Sequence, residues 1–307
     1  MDCSSQACRE FGLTISIKKT EVMAQNTSSI PAIRILDATL VVVDNFKYLG
    51  SLMSSNLSLD GEVNVRIGKA ATVMSKLSAR VWTNKNLTLH TKLKVYQACV
   101  LSTLLYGSAP LTTYTRQEHR LNAFHLRCLR KIMGHTWEDK VTNNDVLCKA
   151  RSTSIYAMLS ERRLRWLGHV SRMDKGRIPK DLLYGQLECG TRSTGRPQLR
   201  FKDLCKRDLL SAHMDINTWE DIVVDRPSWR HEVKQGIDRA EQDRREQQDL
   251  KRQRRKESSS TSKEDTIHVC TDCAKDCHSR IGLYSHRRRC SKVTERNPSS
   301  AQTDGGQ

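Results

Sequence analysis

Four residues near the C-terminus have the types and spacing of a metal site: Cys270, two residues, Cys273, twelve residues, His286, three residues, Cys290. Two thiolates this close can share an ion across a tight backbone turn. Two further donors one helical turn apart can close a tetrahedron from the other side, the geometry that structural Zn²⁺ prefers. The spacing predicts a structural Zn²⁺ in a small finger over 267–291, with Cys270, Cys273, His286 and Cys290 as ligands. Cys277 and His278 could compete as ligands, and a chance cluster is the alternative.

Positioning these donors takes a turn followed by a helix. Leu283, three residues before His286, stands where such a helix places its core apolar side chain. Cys277 occupies the position usually held by an aromatic residue, so the miniature core is thin and rests more on the metal. Arg280, Arg287, Arg288 and Arg289 lie on or beside that helix, where guanidinium groups could contact phosphates. One finger spans about three base pairs, so it adds affinity and placement more than specificity.

The whole chain shares this basic character. Its 307 residues are 37% hydrophobic and 28% charged, with a formal net charge of +18 and a pI near 9.6. That balance favours polyanionic partners, nucleic acid first and an anionic membrane second; a merely soluble basic protein is the alternative. No apolar run of about 18 residues exists, so neither a membrane span nor a membrane partner is expected. The opening MDCSSQACREFG has no signal-peptide core. Eleven cysteines without a secretory signal point to a reducing compartment, nuclear and cytoplasmic. Cys99, Cys128, Cys148 and Cys205 read as small hydrophobes on helix faces.

Hydrophobic periodicity makes the fold mainly α. Residues 1–11 read as a short helix capped by Gly12. From Asp60, the apolar residues Ile67, Ala70, Met74, Leu77 and Val81 recur at helical spacing as far as Trp82. Thr88 caps a second helix that is apolar almost all round (Leu89, Leu93, Tyr96, Val100, Leu104) and hence buried. Thr115 with Glu118 reads as the capping box of a third, which carries Leu121, Phe124, Cys128 and Ile132 and stops at Gly134. Short connections between such helices make a bundle over 58–136.

A basic helical connection follows over 137–238, opened by Thr142 and Asp145. Its central helix carries Ile155, Leu159, Arg162, Trp166 and Val170, with Arg162, Arg163 and Arg165 around the indole. Those arginines could stack on bases or clasp phosphates; equally, Trp166 could anchor the core beneath a solvated arginine face. In GTRSTGRPQLRFKDL, Arg192, Arg196 and Arg200 flank a helix N-terminus with Pro197 in its first turn. Amides, dipole and guanidinium groups there would suit a phosphate, and a mobile surface loop fits the same residues. Thr218 and Asp221 cap a short helix. Pro227 then opens a long charged helix that keeps an apolar face through Trp229, Val233 and Ile237. Charged helix and linker continue over 239–266, with the basic cluster KRQRRK at 251–256, and 292–307 is a disordered tail by composition.

Only residues 1–57 read as sheet. Leu13, Ile15 and Ile17 alternate with polar neighbours, Leu40 to Val43 is a β-branched run, and Phe46, Tyr48 and Gly50 share one face of a further strand. Such a sheet presents Lys18, Lys19 and Lys47 along its edges, where a phosphate backbone could lie.

The order GLTISIKKTE, then FKYLG, resembles the end of the palm in reverse transcriptases of LINE-type, non-LTR retrotransposons. The resemblance extends through a Gly-Arg-Pro segment at 195–197 to the C-terminus. It implies that 1–57 is a palm remnant whose Phe46-to-Gly50 hairpin grips a primer terminus, placing Lys47, Tyr48 and Gly50 at the nucleic acid. It also implies that 58–136 is the thumb, packed on a template–primer duplex. In that family an aromatic-x-Asp-Asp turn precedes the Gly12 position and holds two Mg²⁺. Here only the acids Asp2 and Glu10 precede Phe11, so the catalytic carboxylates are expected to be missing and Mg²⁺ belongs only to the parent enzyme. The expected function is that of a nucleic-acid-binding C-terminal fragment, acting on an RNA/DNA duplex or target DNA and able to associate with an intact reverse transcriptase chain. The alternatives are an RNA-directed DNA polymerase active only with its N-terminal half, and a non-functional scaffold product.

Overall fold

The computed structural model describes residues 2–25, 27, 29, 32–35, 38–185, 195, 198–261, 268–277 and 279–294. These are mainly helical, with short strands confined to the N-terminal segment and a Cys/His group near the C-terminus. Met1–Asp243 forms one compact unit and Arg244–Gln307 a second. The expected divisions after 57 and 136 therefore fall inside the first unit. No helix among the described residues is long and apolar enough to cross a membrane.

Helix α1 (Asp2–Glu10) ends at Gly12, whose φ of +67° is left-handed. The alternation at 13–17 does not make a strand, contrary to expectation. Leu13 is exposed, and Ile17–Lys19 forms one 3₁₀ turn closed by Thr20 Oγ1 donating to the Ser16 carbonyl at 2.9 Å. A two-residue period becomes a strand only where a neighbour takes its backbone groups, and no described strand pairs with this segment.

The strands β1 (Glu21–Val22), β2 (Arg34–Ile35), β3 (Ala38–Thr39), β4 (Val41–Val42), β5 (Asn45–Tyr48) and β6 (Ser51–Ser54) form two-stranded ladders rather than one sheet. β1 runs parallel to β4, while β2–β3 and β5–β6 are antiparallel. The β5–β6 hairpin turns through Leu49 and Gly50, both at positive φ (46° and 86°), which suits a two-residue turn.

That hairpin is fastened to the helices by a buried ion pair. Glu62 accepts from the Leu52 amide at 2.6 Å and from Arg66 Nε at 2.5 Å. Arg66 also donates to Ser51 Oγ at 3.1 Å and to the carbonyls of Leu104 and Tyr106. Both charges lie on α2 (Asp60–Lys76), which a π-helical turn continues to Trp82. As the sequence implies, Thr88 caps α3 (Leu89–Val95), which runs through a π turn at Tyr96–Leu101 into α4 (Ser102–Leu104).

Helix α5 (Thr115–Met133) stops at Gly134, φ +72°, but its start differs from expectation. Gln117, not Glu118, makes the cap by accepting from the Tyr114 amide at 2.8 Å. Glu118 turns inward instead. Thr142 and Asp145 cap α6 (Asn143–Lys149) reciprocally, and Ser154 caps α7 (Ile155–Ser171). Next come α8 (Ile178–Tyr184), α9 (Phe201–Ser211), α10 (Trp219–Val224) and α11 (Arg226–Thr261). Thr218 gives α10 no side-chain cap; its hydroxyl bonds Asp215 at 3.3 Å. Last is α12 (Arg280–Thr294).

Two cores meet along α7. The first gathers Val63, Trp82, Tyr96, Leu104, Phe124 and Leu129 with Ile155 and Leu159 of α7. The second gathers Leu164, Leu167 and Val170 of α7 with Leu209, Trp219, Trp229 and Val233. Gly168 lets α7 and α11 approach, since a Cβ there would overlap the Trp229 indole. Glu241, near the end of the first unit, accepts from Ser154 N at 3.0 Å and Oγ at 2.6 Å, tying α11 to the cap of α7.

Between the cores lies Arg163, 1% exposed. Its Nε and Nη2 grip Asp208 of α9 at 2.6 and 3.2 Å, and its Nη1 reaches Glu118 of α5 at 3.2 Å and Thr113 Oγ1 at 3.1 Å. The expectation that Arg163 contacts nucleic acid is thus overturned: its guanidinium is enclosed and its donors are taken.

Replacing Arg163 with Met takes the buried cation from between two buried carboxylates and leaves them only the half-exposed Arg207, at 3.1 Å from Glu118 and 3.8 Å from Asp208, which costs about 3 kcal/mol. Denaturant unfolding of Arg163→Met should show that loss, with partial recovery on adding Glu118→Gln and Asp208→Asn; a loss under about 1 kcal/mol would contradict the role assigned. His125, fully buried and bonded through Nδ1 to Tyr96 Oη at 2.8 Å, is pushed by burial from 6.5 down to about 4. The unfolded chain therefore takes up a proton that the folded one refuses, and stability falls as pH drops from 6.5 to about 4. A His125→Gln variant should show a flatter pH dependence in that window, and parallel curves would exclude His125 as the cause.

Candidate metal centre and basic surfaces

The metal cluster is assembled by a knuckle and a helix. In the knuckle, Ala274 (φ +55°) allows its amide to bond the Cys270 carbonyl at 2.8 Å, while the Cys270 amide bonds Lys275 O at 2.9 Å. Val269 and Asp276 bridge its two arms. Helix α12 then offers His286 and Cys290 from successive turns. All four donor atoms lie within 4.8 Å of one another, and Cys273 Sγ sits 2.9 Å from His286 Nε2. Two sulphurs that share a tetrahedral Zn²⁺ through 2.3 Å bonds are about 3.8 Å apart, so the donors fit an ion of that kind.

The surroundings favour thiolate at Cys270. The Asp272 amide, and after it that of Cys273, donates to the Cys270 sulphur and holds its thiol below the usual range. Cys290, by contrast, is pushed up to about 11, mainly by its bond with Cys273. Four protein donors close the tetrahedron and leave no open position, so an ion here would be structural. Among the described residues this is the only group of three or more Cys, His, Asp or Glu side chains placed to share one.

Cys277 does not join the cluster; its Sγ points to Lys275 O at 3.6 Å. His278 lies outside the described residues. Leu283 is half-buried, as its core role requires. Sequence reasoning missed Gly282, where any Cβ would strike the Cys277 carbonyl and prevent α12 from starting beside the knuckle. The only available signal was a glycine one turn before a ligand.

The predicted basic contacts disperse over several surfaces. Lys18 and Lys19 are exposed in the 3₁₀ turn, and Lys47 and Tyr48 are exposed on β5. The Gly50 carbonyl is bonded by Lys69 Nζ at 2.8 Å, so the hairpin turn is braced against α2. Arg162 donates to Leu105 O at 2.9 Å, and Arg165 pairs with Glu161 at 2.6 Å. Arg192, Arg196 and Pro197 lie outside the described residues. Arg200 departs from expectation: α9 begins after it, and Asp203 occupies its guanidinium at 2.9 Å. On α12, Arg287 and Arg288 are exposed; Arg287 bonds Thr271 Oγ1 at 3.3 Å and Arg288 lies over the Tyr284 ring at 5.7 Å.

Over 237 residues the chain is 24% identical to a Caenorhabditis elegans protein named as transposon-derived and uncharacterized, covering 73% of this chain and 84% of that protein. This similarity supports a transposon origin. No protein-family model and no solved structure matches the chain.

The full chain purified with zinc should carry one ion, lost in His286→Ala and Cys273→Ser. Elemental analysis counts the ion, and amide exchange follows the fold: protection over 268–290 should vanish on chelation while α2 to α9 stay protected. Equal protection with and without metal would show that the finger does not depend on it.

Proposed function

We propose that this chain binds nucleic acid as the C-terminal part of a LINE-type non-LTR reverse transcriptase, gripping a template–primer duplex or target DNA. The observation that carries the reading is the closed Cys₃His donor set beside a helix with exposed Arg280, Arg287 and Arg288. A structural Zn²⁺ there would hold the finger's basic face in shape, and the arginines would meet phosphates. The net charge of +18, the exposed Lys47 and Tyr48 of the braced hairpin, and the similarity to a transposon-derived protein agree with it. The buried carboxylates support binding over phosphoryl chemistry as this chain's own contribution. Glu62, Glu118 and Asp208 are each committed to an arginine and Glu241 to Ser154, so they are not grouped around an ion. An intact reverse transcriptase chain is the natural partner, and nucleus and cytoplasm are where such a protein would meet its ligands.

Fluorescence anisotropy with labelled RNA/DNA hybrid and duplex DNA tests the reading. Affinity should fall steeply, by about three orders of magnitude, between 50 and 200 mM salt if six or more phosphates are engaged, and it should drop further when zinc is chelated. Weak binding that ignores both salt and chelator would refute it.

A further inference from the structure

Of the three arginines around Trp166 on α7, Arg163 turns inward, and Arg162 and Arg165 open with the indole onto a cavity. The C-terminal half of α7 and the first turn of α11 border an open cavity of about 440 Å³ lined by Arg162, Arg165, Arg172, Arg226 and Arg230 together with Trp166. Its volume lies within the roughly 300–1,000 Å³ typical of small-ligand sites. The buried indole of Trp229, fixed by its bond to Leu164 O at 3.1 Å, forms one side of the wall.

Five guanidinium groups around one cavity repel each other unless an anion joins them. Arg165 has a carboxylate partner in Glu161. Among the described residues, Arg162, Arg172, Arg226 and Arg230 have none within 4.0 Å. Two of the groups are held in place by the fold: Arg162 by Leu105 O and Arg172 by Val223 O, each at 2.9 Å. Each bond uses one donor of five, so the fork keeps further N–H groups for a ligand. Arg172 is also pushed below its ordinary pKa, first by burial and then by Arg226 and Arg230, as expected of a cation set awaiting a negative charge.

Trp166 adds the second half of a recognition site. It is half-buried, packed against the second core on one side and lining the cavity, with the His169 ring tilted against it at 5.2 Å. A planar indole beside clustered guanidinium groups matches the two halves of a nucleotide, an aromatic base and a phosphate. A base can reach an indole only when it is unstacked, so the matching polymer is single-stranded.

We propose that this cavity binds one nucleotide unit of a single-stranded nucleic acid, its phosphate held by Arg172, Arg226 and Arg230 and its base stacked on Trp166. The site rests on the nucleic-acid-binding reading above and adds to it a strand type and a location.

Anisotropy of the zinc-loaded full chain with a labelled twelve-nucleotide oligouridylate, beside a duplex of equal length, tests the site. Arg226→Glu with Arg230→Glu should weaken single-strand binding by at least tenfold and flatten its salt slope by about 0.7 for each phosphate no longer engaged. Arg127→Glu with Lys131→Glu makes the same charge change on α5, away from the cavity, and should cost under about threefold. Trp166→Leu should cost about tenfold on the single strand and little on the duplex. Melting curves check folding, and Arg226→Gln with Arg230→Gln serves if the reversal unfolds. A parent chain that binds neither strand type would overturn the functional reading and this site together. If the parent binds and the two double variants weaken it equally, only the cavity assignment fails. Competition by a polyglutamate peptide as strong as that by unlabelled oligouridylate would overturn the nucleotide in favour of any acidic polymer.

Discussion

A single buried cation sets the geometry of the helical body. Arg163 lies between two apolar cores, where a charge without partners would cost several kcal/mol. Two carboxylates from different helices, Glu118 of α5 and Asp208 of α9, converge on it with Thr113 and Ser160 completing the shell. A hydrophobic contact would tolerate sliding of α7 by a fraction of a turn. A forked guanidinium with bonds in two directions does not. The register of α7 against its neighbours follows, and with it the side on which Arg162, Arg165, Trp166 and His169 emerge. Arg66 acts in the same way on the N-terminal hairpin, joining it to α2 through Glu62.

Where a local rule governs, the sequence is enough. Gly134 ends α5, Thr142 and Asp145 open α6, and Thr88 opens α3, because each cap is satisfied within four residues. The metal ligands are legible for the same reason, since a two-residue spacing and a one-turn spacing impose their own geometry. Several of the failures involve partners far along the chain. Glu118 sits three residues after a threonine, as a capping acid should, yet its partner is Arg163, 45 positions away. The alternation of Leu13, Ile15 and Ile17 is the pattern of a strand, but a strand also needs a neighbour. Arg163 resembles its flanking arginines in type and differs only in the face of α7 it occupies. Periodicity alone cannot divide Trp166 between core and ligand surface, and its half-buried position serves both.

The finger is held by a different means. It has one half-buried leucine and a cysteine where an aromatic ring would fill space, so apolar burial contributes little to it. What holds the knuckle against α12 is the convergence of four donors, two of them thiols whose pKa values are displaced in opposite directions. Gly282 then becomes a requirement of the donor geometry, because the helix begins hard against the Cys277 carbonyl where it brings His286 and Cys290 to the two knuckle cysteines.

Charge placement connects these features. The buried arginines, Arg66 and Arg163, are each matched by buried acids, so the interior contributes almost nothing to the net charge of +18. The excess is therefore external. It is also uneven: it gathers on the finger helix, along KRQRRK in α11, and around the α7–α11 cavity, where four arginines lack an acid among the described residues. Repulsion within such clusters opposes folding and is relieved by a polyanion. A protein that only needed solubility would disperse these charges or interleave them with acids, as α11 does between Asp238 and Asp249. Around the α7–α11 cavity, where the guanidinium groups crowd most closely, an anion from outside the fold would supply that relief.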